Sequence, residues 1–472
     1  MPDNTSFASL LLALFLPWLV GAVSVRGLLA GSSGASTYVI VGHGYFAGIF
    51  LVTLIMRLFD AIGLPITFYT VAIGTATCSL PAFWRMRVTD TSPTPAVRER
   101  LGGWTWIVIS LLLALVALRY YTLAAEVLAR PLFAWDAWMN WAPKAVVWFH
   151  HGEIVPFVTQ DEWLATTDLP VYTLGNLSAS TYPHTLPLLY WWMMMAADST
   201  ASSTILLPWV LAPLALCSAL YGHLRASNVT PSLAAIAVYA LANMPFINVH
   251  SALAGYADLW MAAAFSLAIL STAARSYTGN AGWTLLCLFW CLMCITLKQP
   301  GIIFGGIAGV ALVTATLNIS RKLAFCAFFL AAICLLLAFY IGINIDIPRI
   351  GLFRLDQDGI ELPGLGSHWF SRADIMHPTV AGLFGMINWN LLFYLVLAAL
   401  LTTALMPRNT NENNTPVLIG TLLATGFLIC IFSFTEYSHS LTFSVTFNRT
   451  IIYLIPAIIY LLANSVQLRL NS

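Results

Sequence analysis

The sequence predicts an all-α polytopic membrane protein with about thirteen transmembrane helices, and three observations lead to this fold class. Of the 472 residues, 60% are apolar and 8% are charged, whereas a soluble domain carries about 25% charged residues. Apolar runs long enough to cross a bilayer recur along the chain, and basic residues collect in alternate loops. A soluble enzyme, a disordered protein and a nucleic-acid binder are therefore excluded.

Each predicted span is an apolar run close to the roughly 20 residues that a helix needs to cross a bilayer. The first run, Phe7 to Ala30, is too long for a signal-peptide core and lacks a preceding basic stretch, so we expect a retained helix. The stretch 185–197 is too short to cross and is predicted to lie at the membrane interface. The predicted spans cover residues 7–30, 37–58, 62–84, 104–126, 203–222, 229–247, 254–274, 281–297, 301–318, 322–343, 382–405, 416–434 and 449–466.

Basic residues orient these spans, because Lys and Arg accumulate in loops on the cytoplasmic side. Four arginines crowd the loop after the third span, which we therefore predict to face inward: Arg85, Arg87, Arg98 and Arg100. The later basic loops fall on the same side, provided that 185–197 does not cross. Four stretches that hold many of the acidic residues then face outward: 127–202, 247–256, 344–381 and 435–448.

Tryptophans recur at helical spacing in the segment WDAWMNWAPKA and just beyond it. Trp138, Trp141 and Trp148 would form one apolar stripe, and tryptophan is enriched where helices meet the headgroup region. We therefore interpret these three residues chiefly as interfacial anchors.

Polar residues of the same segment would share the opposite stripe of one helix. Asp136, Asn140 and Lys144 are four residues apart, although Pro143 is predicted to divide the helix because the residue before a proline avoids the helical region. Partial burial beside lipid would raise the pKa of a carboxyl at position 136 unless a cation compensates. An acid retained there is a candidate functional residue.

The segment STYPHTLPLLYWWMMMAAD follows in the same outer stretch. Tyr182 and Pro183 begin an amphipathic piece, and the aromatic residues 190–192 are predicted to form a belt at the interface. A purely anchoring role and a functional role both remain open for this piece.

Three further ionisable residues lie at the edges of predicted spans. A carboxylate inside a membrane segment costs roughly 2.5–3.5 kcal/mol, so Asp258 is either functional or an acid favoured by a helix N-terminus. Lys298 is expected to snorkel to the interface. Arg449 lies on the predicted outer side, and its planar fork suits bidentate binding of a phosphate, so we favour a functional role over simple anchoring.

The order and spacing of five segments resemble those of bacterial GT-C glycosyltransferases, in the branch related to protein O-mannosyltransferases and lipid A aminoarabinose transferases. These segments are WDAWMNWAPKA, YPHTLPLLYWW, GYADLWMA, ITLKQPG and FNRTIIYLIP. Two departures concern Tyr182, where many relatives have a basic residue, and Pro143, which relatives in the nearest branch often lack.

The resemblance divides the chain into two parts. Residues 1–103 are expected to form three accessory transmembrane helices and a cytoplasmic loop, and 104–466 to form a GT-C-like catalytic transmembrane module. Within that module, 127–202 would be an outer loop with interfacial helices. The Gly-rich stretch 344–381 would be a flexible outer cover loop.

The resemblance implies an enzyme of the cytoplasmic (inner) membrane that moves a sugar from a polyprenyl-phosphate donor to a lipid, glycan or protein acceptor on the outer face. Asp136 occupies the place of the family's catalytic acid and would act as the base of an inverting displacement. Arg449 and Lys144, with Lys298 behind them, would hold the donor phosphate. The residues expected to bind the acceptor or support the site are Asp258, Tyr182, His184 and Trp138.

Cofactors and competing functions remain open at this stage. No cofactor is predicted with certainty, and a divalent metal is an open alternative. The expected partners are the donor, the acceptor and membrane lipids, and no nucleic acid is expected. Cys291 and Cys294 have metal-like spacing but lack a second pair to complete four ligands. A transporter or flippase is the alternative function, and the lack of an apparent internal repeat weakens it.

Overall fold

The computed structural model is 76% helical, and its long apolar helices confirm a largely α-helical, membrane-embedded protein. Arg98 and Arg100, which contribute to the predicted orientation, lie outside the described residues. The structure describes residues 4–88, 102–167, 170–176, 178–348, 351–363, 366–371, 374–405, 412–442 and 445–471.

The N-terminal part begins with two long apolar helices that pack against each other. The predicted third span, 62–84, falls on two short helices that are separated at Cys78 and Ser79. Pro81 is compatible with the first turn of the second short helix, where its missing N–H costs no hydrogen bond, but not with the interior of one continuous helix. The helices of this part are α1 (Asn4–Leu28), α2 (Thr37–Ala61), α3 (Phe68–Thr77), α4 (Leu80–Val88), α5 (Gly103–Ala129), α6 (Ala142–His151), α7 (Gln160–Ala165) and α8 (Thr185–Ala197), with a π-helical turn at Ala137–Trp141 and a 3-10 turn at Ala179–Thr181.

The central part of the chain is helical throughout its regular structure. One bent pair of helices and two shorter apolar helices fall within it. These helices are α9 (Leu207–Ala226), preceded by a 3-10 turn at Ser203–Leu206, then α10 (Pro231–Ala242), α11 (Pro245–Ala252), α12 (Asp258–Thr278), α13 (Ala281–Leu297), α14 (Gly301–Thr316) and α15 (Arg321–Ile341).

The C-terminal part opens with an antiparallel sheet of four strands in the order β1-β2-β3-β4. The strands are β1 (Ile343–Ile347), β2 (Gly351–Leu355), β3 (Gly359–Leu362) and β4 (Gly366–Trp369). The helices and turns that follow are α16 (Met376–Val380), a π-helical turn (Ala381–Gly385), a 3-10 turn (Ile387–Trp389), α17 (Leu392–Leu405), a 3-10 turn (Glu412–Asn414), α18 (Thr415–Phe434), a 3-10 turn (Glu436–Ser438), α19 (His439–Thr442), α20 (Val445–Ile451) and α21 (Ile455–Leu470).

The sheet corrects the expectation of a flexible cover over 344–381. Its strands have four or five residues each, and three of them begin at a glycine, so these glycines mark strand starts rather than a mobile loop. The backbone N–H of Ser371 donates to Phe434 O at 2.8 Å, which ties the end of the sheet to the end of α18. Arg349 and Arg372 lie outside the described residues.

Seven helices are long and apolar enough to cross a membrane, and the number is nine if each bent pair counts as one span. The two bent pairs are α10 with α11 and α20 with α21, and each bends by 51°. Three shorter apolar helices, α13, α14 and α17, add to these among the described residues. The count of thirteen spans stays a prediction.

Glycines allow α1 and α2 to cross with their backbones almost in contact. A Cβ atom at Gly48 would lie 1.6 Å from Pro17 O, and one at Gly21 would lie 2.0 Å from Gly44 O. No larger residue fits at this crossing without moving the helices apart. The two helices therefore form a tight pair against which α8 also packs.

The predicted interfacial aromatic residues lie inside the protein. Tyr190, Trp191 and Trp192 of α8 are buried, and Trp192 Nε1 donates to Ala13 O at 3.0 Å. The expected aromatic belt in 185–197 is therefore wrong, because α8 is covered by α1, α2 and α6. An apolar aromatic run satisfies a protein core as well as a membrane interface, and the sequence alone does not separate the two.

Candidate functional site

Asp136 precedes a π-helical turn that leads directly into α6. The N–H of Ala142 donates to Ala137 O, five residues back, instead of four. Proline at position 143 has no N–H and would clash with the carbonyl four residues before it in a regular helix, so a widened turn next to it relieves this conflict. The helical path continues past Pro143, contrary to the predicted division.

Tryptophans of this segment have different environments. Trp141 and Trp148 are fully buried and thus do not anchor the chain at a lipid interface, which corrects that interpretation for both. Trp138 is 47% exposed, and its ring lies 6.3 Å from the ring of Trp135.

Arg449 lies in α20, just before the bend of the last helix pair, and contacts two carboxylates. Its Nη2 forms an ion pair with Asp136, 313 residues away in sequence. Its Nε and Nη2 lie 2.8 and 2.7 Å from Asp258 Oδ2. The structure thus brings together three residues that were chosen separately from the sequence.

Asp258 is the first residue of α12 and is completely buried. Its Oδ1 accepts hydrogen bonds from Lys298 Nζ at 2.8 Å and from Tyr453 Oη at 2.5 Å. His250 Nε2 lies 3.9 Å from Oδ2. Asp258 is therefore the helix N-terminal acid and also the centre of an ionic cluster, and its functional role stays a prediction.

Asp136, Arg449, Asp258 and Lys298 form what we call the charge network. Its two acids and two bases balance in formal charge, as burial beside a membrane requires. Exposure differs along the network: the side chain of Asp258 is 0% exposed, that of Asp136 is 11% exposed, and that of Arg449 is 17% exposed. The side chain of Lys298 is 23% exposed, so solvent or a ligand reaches Asp136, Arg449 and Lys298 but not Asp258.

The aromatic ring of Tyr256 lies against Arg449 of the charge network. The guanidinium of Arg449 lies 4.6 Å from the centre of the Tyr256 ring. Burial, followed by the nearby charge of Asp136, raises the pKa of Tyr256.

Gly255 has a φ of +125°, and a Cβ there would lie 2.5 Å from both Ala137 Cβ and Tyr190 Oη. This glycine lets the 255–258 segment approach the π-helical turn.

Lys144 lies outside the charge network. It is completely buried, and its Nζ donates to the backbone oxygens of Ser180 at 3.1 Å and Tyr182 at 3.2 Å. Burial lowers the pKa of Lys144 to about 8. Among the described residues, Lys144 has no hydrogen bond or ion pair with Arg449 and lies instead at the carbonyl end of the Ala179–Thr181 turn.

Tyr182 and His184 lie beside Lys144. The Tyr182 ring is 5.3 Å from the Trp141 ring, and the His184 ring is 5.1 Å from the Trp148 ring. Burial, and then the charges of Lys144 and Arg57, lower the pKa of His184 to about 4. Its imidazole is therefore neutral at physiological pH.

Four residues around the site were not selected from the sequence. His250 is buried near Asp258, and neither it nor Tyr453 nor Tyr256 was selected as a site residue. A tyrosine four residues after Arg449 and another two residues before Asp258 were the available signals. Arg57 lies near the end of a predicted span and was also not selected. Its Nη2 donates to Thr185 Oγ1 at 3.2 Å.

The site places the Asp136 carboxylate, which can exchange a proton, beside the guanidinium of Arg449, which is also bound to Asp258. Asp136 can accept a proton, and Arg449 can bind an anion while Asp258 fixes its orientation. Within the described part of the chain, no group of three or more His, Cys, Asp or Glu side chains is arranged to hold a metal ion. All eight cysteines are free.

No protein-family model matches the chain, and neither a curated protein nor a solved structure is detectably similar to it.

Proposed function

We propose that the protein is a membrane glycosyltransferase of the GT-C type, which moves a sugar from a polyprenyl-phosphate donor to a lipid, glycan or protein acceptor. The observation that carries the proposal is the contact of Arg449 with Asp136 on one side and Asp258 on the other. A base and a phosphate-binding cation are the two groups that this reaction needs side by side. The resemblance of the five sequence segments supports the same function.

Asp136 is the base in this proposal. It accepts the proton of the acceptor hydroxyl while the acceptor oxygen bonds to the anomeric carbon. The bond between that carbon and the phosphate oxygen breaks, and polyprenyl phosphate leaves with the electron pair. A single displacement of this kind inverts the anomeric centre. A positioned base contributes about 10²–10⁴-fold to such a rate.

Arg449 connects donor binding to the availability of the Asp136 carboxylate. Its guanidinium is paired with Asp136, so the carboxylate is occupied until another anion takes its place. A donor phosphate competes for the same guanidinium and releases the Asp136 carboxylate for the acceptor. Asp258 keeps Arg449 in place during this exchange, because Asp258 is completely buried and is itself bonded to Lys298.

Lys144 is proposed as a further cation for the donor phosphate. It is buried and, in the described residues, bonded to carbonyl oxygens rather than to an acid. Its charge is thus available to an anion that approaches the Ala179–Thr181 turn.

The proposed placement has the charge network on the outer face of the cytoplasmic membrane, with about thirteen spans in total. The concentration of arginines at 85–100 supports this orientation, because Lys and Arg accumulate in cytoplasmic loops. The three shorter apolar helices leave room for spans beyond the nine, which already include both bent pairs.

Transfer is tested with purified protein in proteoliposomes, a panel of radiolabelled polyprenyl-phosphate monosaccharides, and an envelope extract as the source of acceptor. The wild type should release polyprenyl phosphate and label an acceptor, and Asp136→Asn should lower the rate about 10²–10⁴-fold. Asp198→Asn is the matched control, because Asp198 is exposed and its φ of 47° is one that asparagine accepts readily.

Two results would contradict the proposal. One is wild-type transfer by a correctly inserted Asp136→Asn protein. The other is movement of the labelled lipid across the membrane without cleavage, which would identify a carrier. Buried ion pairs also line translocation paths, so this second measurement separates the two functions.

A further inference from the structure

Two cations near the start of α8, the buried Lys144 and the partly buried Arg57, have no acidic partner among the described residues. No carboxylate oxygen of a described residue lies within 4.0 Å of the charged nitrogens of Arg57 or Lys144. Asp60, one turn along α2 from Arg57, instead accepts a hydrogen bond from the Ile154 N–H at 3.3 Å. The charge network is balanced, whereas this pair of cations is not.

Both cations lie close to the same side chain. The charges of Lys144 and of Arg57 both act on His184, and Arg57 Nη2 donates to Thr185, the next residue. We call Arg57, Lys144 and His184 the cationic cluster. His184 stays neutral because its pKa is about 4, so the cluster carries two positive charges at physiological pH.

The N-terminus of α8 adds a third favourable contribution. His184 is the N-cap of this 13-residue helix, and no side chain caps its first N–H groups. Free N–H groups and the helix dipole at such an end attract an anion. The cluster thus combines two cations with an uncapped helix terminus that points at the same region.

Polar atoms of the same region are buried without partners among the described residues. Arg57 Nε and Ser180 Oγ belong to this set, and Ser180 also supplies the carbonyl that binds Lys144. Buried donors that lack an acceptor are costly, so an occupant with several acceptor oxygens would satisfy them. A phosphate group has both the oxygens and the charge.

We infer that the cationic cluster binds the phosphate group of a polyprenyl-phosphate lipid, with Arg57 of α2 and Lys144 of α6 on either side of it. The inference rests on the proposed function, and it adds a role for the N-terminal helices. Arg57 lies outside the 104–466 module, so α2 becomes part of the donor site rather than an accessory span. A lipid-linked phosphate fits better than a free one, because exposed apolar side chains close to Arg57, Leu58 and Ile62, can hold the tail.

Binding is measured with the full-length protein in phosphatidylcholine nanodiscs and a tritiated polyprenyl phosphate. The wild type should bind this lipid and should not bind the matching polyprenol. Loss of one charge-assisted contact in Arg57→Gln should weaken binding about tenfold or more. Arg57→Lys should retain most of the affinity, and Arg130→Gln, an exposed arginine paired with Glu126, should bind like the wild type.

A second measurement covers the case in which Arg57→Gln does not fold. Wild-type binding should weaken as the pH rises from 7 to 9, because the pKa of Lys144 is about 8, and Lys144→Arg should abolish this dependence. Equal affinity of wild type and folded Arg57→Gln would overturn the inference. Inorganic phosphate that binds as tightly as the lipid would overturn the assignment to a lipid.

The binding assay also separates this inference from the proposed function. Polyprenyl-phosphate binding that depends on Arg57, without sugar transfer by the wild type, would support the cluster and contradict the glycosyltransferase. Asp136-dependent transfer with an unchanged KM for the donor in Arg57→Gln would support the enzyme and overturn the cluster. Asp136→Asn should bind the lipid in either case.

Discussion

Replacing Asp258 by asparagine should unbalance the charge network without changing the size of the side chain. Asparagine keeps one acceptor oxygen for Tyr453 but places an uncharged amide between Arg449 and Lys298. The two cations of the network would then have the single remaining carboxylate of Asp136 as counter-ion. Breaking a buried ion pair by removing one partner costs about 3–5 kcal/mol, so we expect a loss of that size in the free energy of unfolding.

A second substitution tests whether charge balance is the cause. Lys298→Gln removes one of the two cations, so Asp258→Asn/Lys298→Gln restores a network of one acid and one base. The loss in the double variant should be smaller than the sum of the single losses by about 2 kcal/mol, a coupling typical of residues in one ionic network. As a control, Asp258→Asn/Arg130→Gln should be additive within about 0.5 kcal/mol, because Arg130 belongs to a separate pair.

Thermal unfolding in detergent is followed with a thiol-reactive dye, because Cys217, Cys287 and Cys294 are buried and react only on unfolding. An unfolding entropy of about 2.1 cal/mol/K per residue gives roughly 1 kcal/mol per kelvin for a chain of this length. Asp258→Asn should therefore lower Tm by about 3–5 °C. Additive losses in the double variant would refute the charge-balance explanation.

Three further predictions follow from the same structure. Gly48→Ala should lower Tm by several degrees because its Cβ would overlap Pro17 O, whereas Gly309→Ala, with no atom within 4 Å, should leave Tm unchanged or slightly raised in the same dye assay. Sugar transfer should decline as the pH rises through about 8, because Lys144 is protonated below its pKa of about 8 and neutral above it. In a pH profile of the Lys144→Arg variant, this decline should occur at a higher pH. Tyr453→Phe should lower the unfolding free energy by about 1.5–3 kcal/mol by removing a hydrogen bond to the Asp258 carboxylate, and an unchanged Tm would argue against that bond.

The membrane character of the fold could be predicted because composition and apolar runs depend only on the local sequence. The partners of the ionisable residues could not. Lys298 pairs with a residue 40 positions away, and Arg449 pairs with residues 191 and 313 positions away. Burial of charge in a membrane demands a counter-ion, so the sequence identified which residues need a partner but not which partner each one has.

Other differences arise where one sequence pattern fits two structures. The aromatic residues 190–192 suit an interface or a core, and the packing of α1 and α2 over α8 decides for the core. The strands in 343–369 have four or five residues each. The alternation of apolar and polar residues that identifies a strand is therefore too short to distinguish them from a loop. Lys144 was expected to hold a phosphate because lysine is a cationic residue. Its contacts with the backbone of Ser180 and Tyr182 depend on a turn that the sequence does not reveal.

The π-helical turn at Ala137–Trp141 fixes the angular register of Asp136 relative to α6. Each residue of an α-helix advances the side-chain direction by about 100°, and a π turn accommodates one additional residue. Asp136 therefore points about 100° away from where a regular helix extended backward from α6 would aim it. Deleting one residue within 137–141 would convert the turn to α-helix, rotate the carboxylate away from Arg449, and leave the buried face of α6 in place.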